Sequence, residues 1–439
     1  MTDTTSPASP LEAALHRAAA GDPEWMRPAR AAALARWNAE AVPSRVEHLW
    51  RYTDPAKLLP GDRAFPAADP SFGELPADFH DAVFDKASAY AVARDGVLLR
   101  SVVDPLLSDL GVVVEDLRTA ARVRRALVES RLFGLRGICD AAGAKFDDLS
   151  AAAFQGGAFV HLPRGVLLER PIRVASRIGG GGVLAARSLF VADAGAQATV
   201  VVDLGSADEA DATTLHETTE IYVGAGARLR VVFVQTLARK SFHAPVVRAR
   251  VGRDASLETV TVALGAGTVK SLQATELAEH GASTRVLGIV FGDGRQHFDH
   301  HTFQDHVAPH TTSDLDYRTV VGERARSAFT GRLRIRTEAL HCEAHQRNHN
   351  LILSDQARAD TIPELEILTN EVSCSHAAAV APIDEEQVYF CQSRGLSPLE
   401  ARKAIVLGFL EPTVDRIPGE LLLARVRDAL DTRLGSVVR

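Results

Sequence analysis

The run VADAGAQATV, residues 191–200, places strand-forming residues on either side of a small glycine-containing corner. The arrangement returns as YVGAGARLRV at 222–231, RVGRDASLET at 250–259, LAEHGASTRV at 277–286, VVGERARSAF at 320–329 and LSDQARADTI at 353–362. In each, an alanine follows the turn: Ala196, Ala227, Ala255, Ala282, Ala325 and Ala357, separated by 31, 28, 27, 43 and 32 residues. A small side chain fits inside a tight bend while the turn residues face water, which is what a solenoid corner requires. Between the corners lie short β-branched runs such as ATVVVDL, TEIYV, RLRVVFV and SLETVTVAL, with no helix-length pattern from about 158 to 367. Each unit is one coil of a β-solenoid or one layer of a sandwich, and the near-constant period favours the solenoid. Such a stack has open ends, which helical segments before and after it are expected to cap.

The flanks carry that helical signal. Ser9-Pro10-Leu11-Glu12 is a capping box with proline at the first helical position, and Gly21 stops the helix it opens. A second helix is expected over 23–39, and an amphipathic one over 114–132 with Leu117, Ala120 or Ala121, Val123, Leu127 and Leu132 buried. Between them, Trp50 and Tyr52 bracket Arg51 as an aromatic anchor. After Pro382, Asp384 caps a helix with Gln387 at the box position, and Gly395 ends it. Ser397-Pro398-Leu399-Glu400 repeats the capping box and opens a helix carrying Ile405, Leu407 and Phe409. Pro418-Gly419 separates a last helix with Leu423, Val426, Leu430 and Leu434 on one side. The expected organisation is a mainly helical unit at 1–150, a β core at 151–382 and a helical unit at 383–439.

Composition narrows the function. The 49 Lys and Arg against 56 Asp and Glu give a net charge of -7, with no electrostatic footprint for nucleic acid or an anionic membrane. Protein or small-ligand partners are therefore expected. The opening MTDTTSPASP lacks the basic start and apolar core of a secretory signal, and no apolar run is long enough to span a bilayer. Cys139, Cys342, Cys374 and Cys391 are scattered and contain no CxxC pair, so neither a disulfide framework nor a closed zinc site is indicated. A reducing cytoplasm is the expected compartment.

Two groups of residues carry candidate chemistry. The alternation from Pro363 to Val372 reads as a strand; if extended pairing continues, Cys374 and His376 share one face. The pair could be two metal ligands, a thiolate beside a base, or a small apolar residue beside a hydrogen-bonded histidine. Nine of the sixteen histidines fall between 297 and 376. A stand-alone metal-dependent β-fold enzyme using the segment 297–349 is one reading of them. However, adjacent His300 and His301 would face opposite sides of a strand. His341, Glu343, His345 and Arg347 share a parity, for which a polar outer face is the commoner explanation than a metal site. A carbohydrate-active β-helix enzyme is a third reading; such folds usually serve outside the cell, which the missing export signal disfavours.

Longer motifs decide among these. EHLWRYTDPAKL at 47–58, FTGRLRI at 329–335, NHNLILSDQARADTIPELEI at 348–367, EVSCSHAAAVAPIDEEQVYFCQSRGL at 371–396 and ARKAIVLGFL at 401–410 together resemble the SufD branch of the SufB/SufD family of iron-sulfur cluster assembly proteins. The resemblance implies a right-handed parallel β-helix core between helical end domains. It also implies a non-catalytic scaffold that pairs with a SufB-like paralogue, or with itself when that is absent, and docks a SufC-type ABC ATPase on the C-terminal helices. Ser397, Glu400, Ile405 and Phe409 would belong to that docking site. A transient iron-sulfur cluster shared with the partner, and reduced flavin in the complex, are the cofactors it implies. The family run CSHGATVG falls on residues 374–381, making His376 with Cys374 the implied cluster ligand or relay at the interface. Ala377, Ala379 and Ala381 depart from that run, which touches the turn geometry after His376 but leaves both ligand types in place. SufB-type cysteines are not recognisable, which favours the SufD branch, and no P-loop is present, so the chain is not itself the ATPase.

Overall fold

The computed structural model describes residues 10–66, 87–141, 143–206, 212–417 and 420–437. Ser9 of the first capping box and the Pro418-Gly419 break lie outside them. Helices α1 (Pro10–Ala19) and α2 (Met26–Ala39) come first. Strands β1 (Ala89–Arg94) and β2 (Val97–Val103), helix α3 (Pro105–Asp109) and strand β3 (Val113–Asp116) follow. Helices α4 (Leu117–Val123), α5 (Arg125–Val128) and α6 (Ala144–Ala153) complete the N-terminal unit. The long amphipathic helix expected at 114–132 is therefore broken. Its start is strand, Asp116 accepts from the Thr119 amide to cap α4, and Arg124 at ψ 42 ends it. Val123 is exposed.

The solenoid then opens with β4 (Ala158–Leu162), β5 (Ile172–Ile178), β6 (Gly182–Ala192), β7 (Gln197–Ser206), β8 (Thr213–Val223) and β9 (Arg228–Thr236). It continues with β10 (Phe242–Val251), β11 (Ser256–Ala263), β12 (Thr268–Leu277), β13 (Ser283–Gly292) and β14 (His297–His306). The last strands are β15 (Thr312–Val321), β16 (Arg326–Ile335), β17 (Cys342–Ile352), β18 (Arg358–Ile367) and β19 (Val372–Pro382). Even-numbered strands from β4 onward form one parallel sheet and odd-numbered ones from β5 the other, so each coil contributes one strand to each, about eight turns in all. β1 extends the odd sheet in parallel and β2 closes its end antiparallel; β3 closes the even sheet antiparallel to β4. These first three strands are short and sit among helices, so their periodicity was too brief to register.

Register explains the corner alanines. Gln197, Arg228, Ser256, Ser283, Thr312, Glu343 and Ser373 align across the odd sheet. The corner column just before them is Ala196, Ala227, Ala255, Ala282, Thr311 and Cys342, all buried. Ala325 and Ala357 belong to the opposite corner, preceding Arg326 and Arg358, which pair in the even sheet. The 43-residue step in the sequence is where the alanine series crosses from one corner to the other.

The helices do not cap both ends as expected; they cover the sides. α8 (Pro398–Val414) and α9 (Glu420–Val437), preceded by α7 (Glu385–Gln392), pack on the outer face of the odd sheet. There Val406, Leu410, Val414, Val426, Leu430 and Leu434 meet Val232, Val260, Val262, Leu287, Ile289 and Val320. The N-terminal unit covers the outer face of the even sheet, with Trp37, Trp50, Leu58 and Phe146 against Val183, Ala185, Leu189 and Ala244. The outer face of the odd sheet is apolar where α8 and α9 bury it, and the even sheet carries an apolar patch beneath the N-terminal unit. Among the described residues, the far end, formed by β18 and β19, is left largely exposed.

Charge fixes the N-terminal layer as well. Arg187 on β6 reaches Asp147 of α6 at 2.8 Å and Glu220 on β8 at 3.0 Å, and Arg248 on β10 reaches Asp147 at 3.2 Å. Glu220 also accepts the Phe133 and Leu135 amides at 2.8 and 3.0 Å. Burial alone would raise the Asp147 carboxyl, but Arg187 and Arg248 bring it down to about 2. Asp147→Ala removes the buried carboxylate that Arg187 and Arg248 share and is expected to cost about 3–5 kcal/mol in denaturant unfolding. The exposed pair partner change Lys403→Ala on α8 is expected to cost less than about 1 kcal/mol in the same measurement.

Candidate functional site

The last coil is where the sequence candidates meet the surface. The strand expected over 363–372 ends at Ile367, the chain turns the corner, and β19 starts at Val372. Cys374 pairs with Ala344 and His376 with Gln346, while Ser373 and Ser375 face the other way. Ala344 and Gln346 are buried inside the solenoid, so Cys374 and His376 share the inner face. With no further coil above them, Cys374 is half-buried and His376 exposed. Leu365 and Ile367 of β18 and Val380 of β19, core-facing by parity, are exposed for the same reason.

Beneath this rim lies a polar interior that sequence reasoning did not single out. Asn350 donates to the Asn348 side chain at 2.8 Å and to the Ala379 carbonyl at 3.1 Å; Asn348 donates to the Tyr317 carbonyl at 3.2 Å. Gln346 donates to the Gly331 carbonyl at 3.2 Å. A Cβ at Gly331 would stand 2.2 Å from the Gln346 amide nitrogen, so the glycine of FTGRLRI makes room for that side chain. Cys342, in the corner column, has its sulfur 3.0 Å from the Thr311 hydroxyl, which in turn lies 2.7 Å from His306 Nδ1. Cys342 is therefore a buried structural residue, and the alanine column above it was the signal that could have identified it. The Cys374 thiol is pushed up by burial and then by the nearby Cys342.

The histidines between 297 and 349 do not converge. His300 and His306 point inward, whereas His297 and His301 face the N-terminal layer, as the adjacent-residue argument required. His301 Nε2 lies 2.7 Å from Asp299, and His345 Nδ1 lies 2.7 Å from Ser375 on the outer face. His341 sits in the corner at φ 57 beside Glu371. Among the described residues, no group of three or more His, Cys, Asp or Glu side chains could hold a metal ion. The metal-enzyme reading of 297–349 therefore loses its geometric basis.

The helix residues expected to dock an ATPase have work within the chain. Ser397 accepts the Glu400 amide while the Glu400 carboxylate accepts the Ser397 amide at 2.8 Å, forming the expected capping box. Ile405 and Phe409 are half-buried against the odd sheet, and the Phe409 carbonyl accepts from Arg318 at 2.6 Å. The outward apolar surface lies just before them: Tyr389 and Phe390 at the end of α7, with Leu396 and Leu399 at the start of α8, are all exposed.

Residues 175–409, which include the solenoid rim and the helices beside it, match the family described as SUF system FeS cluster assembly, SufBD core domain. The chain belongs to the SufBD family. It is 30% identical over 304 residues to an iron-sulfur cluster assembly SufBD family protein of Mycobacterium tuberculosis, covering 66% of this chain and 75% of that one. A Staphylococcus saprophyticus protein of the same description is 28% identical over 316 residues, 72% of this chain and 67% of the relative. One from Staphylococcus aureus is 25% identical over 420 residues, 91% and 87% of the two chains. This SufBD protein has, among its described residues, no helix long and apolar enough to cross a membrane.

Two outcomes follow from the ionisation of these groups. Burial lowers both His300 and His306 from 6.5 to about 4, so between those values the unfolded chain binds more protons than the fold. Stability is expected to be full above pH 6.5 and to fall as pH drops through that window, seen as a lower unfolding free energy at about pH 5 than at about pH 7.5. At mildly alkaline pH, Cys374 is expected to alkylate more slowly than a free cysteine peptide, because its raised pKa leaves less thiolate. Mass-resolved labelling with iodoacetamide reads this directly.

Proposed function

We propose that this chain is a SufD-like, non-catalytic scaffold subunit that helps assemble and pass on iron-sulfur clusters. The observation that carries the reading is the uncovered solenoid end, where Cys374 and His376 stand on the inner face of the last strand. Thiolate and imidazole are both competent iron ligands, and two of them leave a cluster to be completed from a facing chain and readily released. The cluster is thus cargo held between subunits. A SufB-like paralogue is the partner for this end, with a second copy of the chain as its substitute when the paralogue is missing.

A SufC-type ATPase would bind where Tyr389, Phe390, Leu396 and Leu399 are exposed, at the junction of α7 and α8. Ser397 and Glu400 would fix the start of α8 that the ATPase contacts, and Ile405 and Phe409 would couple it to the odd sheet. Any motion that ATP drives there reaches β15 through Arg318, which bonds the Phe409 carbonyl. The free thiols of Cys342, Cys374 and Cys391 suit the reducing cytoplasm in which we place the complex.

His376→Ala should lower the rate of cluster formation in the anaerobically reconstituted complex by roughly ten-fold or more. Because the side chain is exposed, the same change should alter unfolding free energy by less than about 0.5 kcal/mol. A normal assembly rate in that variant removes His376 from the site. Replacing Tyr389 and Phe390 together by alanine should weaken ATPase binding by about ten-fold or more in a calorimetric titration, leaving cluster ligation to the other end intact.

A further inference from the structure

The motif at 47–58 lies outside the residues matched by the family, and its apolar and polar members have different surroundings. Trp50 packs on Phe146 with ring centroids 5.0 Å apart, and Leu58 is fully buried with its carbonyl accepting from His216 at 2.9 Å. Thr53 is buried, donating to Asp299 at 2.6 Å and lying 3.0 Å from His297 Nε2. Lys270 completes this anchor with a 2.8 Å ion pair to Asp299. Held at these points, the segment carries Arg51, Tyr52 and Lys57 over the even sheet and leaves a cleft of about 490 Å³ beneath them.

The floor of the cleft is one register column, Thr268, His297, Arg326 and Arg358, on four successive strands. Neighbouring strands lie about 4.8 Å apart, so Arg326 and Arg358 stand side by side as like charges. Arg45, Arg51 and Lys57 add three more cations, and only Asp54 and Asp360 oppose them. Both carboxylates are engaged: Asp360 holds Arg358 at 2.8 Å, and Asp54 accepts the Ala56 amide at 3.0 Å. Among the described residues, Arg51, Lys57 and Arg326 have no carboxylate partner. Such a gathering is unusual on a chain whose net charge is -7. Solvated surface cations normally spread apart, whereas these converge on a concavity from two separate elements.

We propose that this cleft binds a small molecule bearing a pyrophosphate group. Guanidinium forks pair with phosphoryl oxygens bidentately and an ammonium adds a point charge, so unpaired cations on both walls suit more than one phosphoryl group. The strand spacing lets Arg326 and Arg358 contact adjacent phosphoryl groups, while Arg51 and Lys57 close from the opposite wall. A recessed cleft favours a small anion over the flat contact of an acidic protein surface.

The test is a calorimetric titration of the full chain with inorganic pyrophosphate at low salt, repeated on an Arg51→Ala, Arg326→Ala double variant. Arg285→Ala, on the outer face of the other sheet, is the control. Saturable binding that weakens at least roughly ten-fold in the double variant, weakens with added salt, and is unchanged in the control is the expected result. Both substituted side chains are exposed, and matched circular dichroism melts establish that the double variant is folded. Absence of saturable heat up to millimolar pyrophosphate, or equal binding by the folded double variant, overturns the proposal. So does a double variant that loses only its grip on an acidic protein partner, since the cleft would then be a protein interface.

Discussion

Every coil of the solenoid depends on its two neighbours for its backbone hydrogen bonds. The parallel ladder satisfies the amides and carbonyls of one strand only through the strands above and below, so the stack is stable in its middle and incomplete at any end. At the beginning, β2 and β3 terminate the sheets antiparallel. At the other end, β18 and β19 each present an unpaired edge of 10 or 11 residues and part of the solenoid's own core. Pro363 removes one donor from the β18 edge, a partial protection of the kind edge strands use. An edge this long with core residues exposed is a template on which a further strand can pair, and Cys374 and His376 lie within it.

The two helical layers leave that edge open because they cover the sides of the stack. Their means differ. The C-terminal helices bury an almost wholly apolar face, whereas the N-terminal layer adds a buried ionic group around Asp147 and the Thr53, Asp299 and Lys270 cluster. Buried charges hold position only where their partners are exact in placement, so the N-terminal segment is fixed in register against the sheet as well as in distance. The α7 and α8 junction, in contrast, keeps aromatic side chains in water. One layer is built to stay, and the other offers a surface.

Much of this was legible in the residues. The alanines at 196, 227, 255 and 282 announced the coils because the inside of a tight corner admits little else. The capping residues Asp384 and Ser397 placed two C-terminal helices correctly, since a cap is a local interaction. Parity put Cys374 and His376 on one face, as the structure has them. What parity does not tell is which face is inside, or which coil lies above, and that is why a metal site remained one reading of the eight histidines from 297 to 349. Thr311 and Cys342 take the place of alanine in the corner column, so the repeat was lost there and picked up again on the opposite corner. The direction of the helical layers was illegible as well, because apolar outer residues such as Val260 and Ile289 alternate with inner ones and make a two-sided strand read as a uniformly buried run.

We propose that the open edge of the last coil is where this SufBD protein pairs with another chain. Hydrogen exchange resolved to residues 358–382, measured on the isolated chain and on the complex with a SufB-like paralogue, tests it most directly. If pairing occurs at this edge, amides of β18 and β19 exchange fast alone and become strongly protected in the complex, with the middle coils unchanged. Equal exchange in both states, with new protection confined to other parts of the chain, would contradict it.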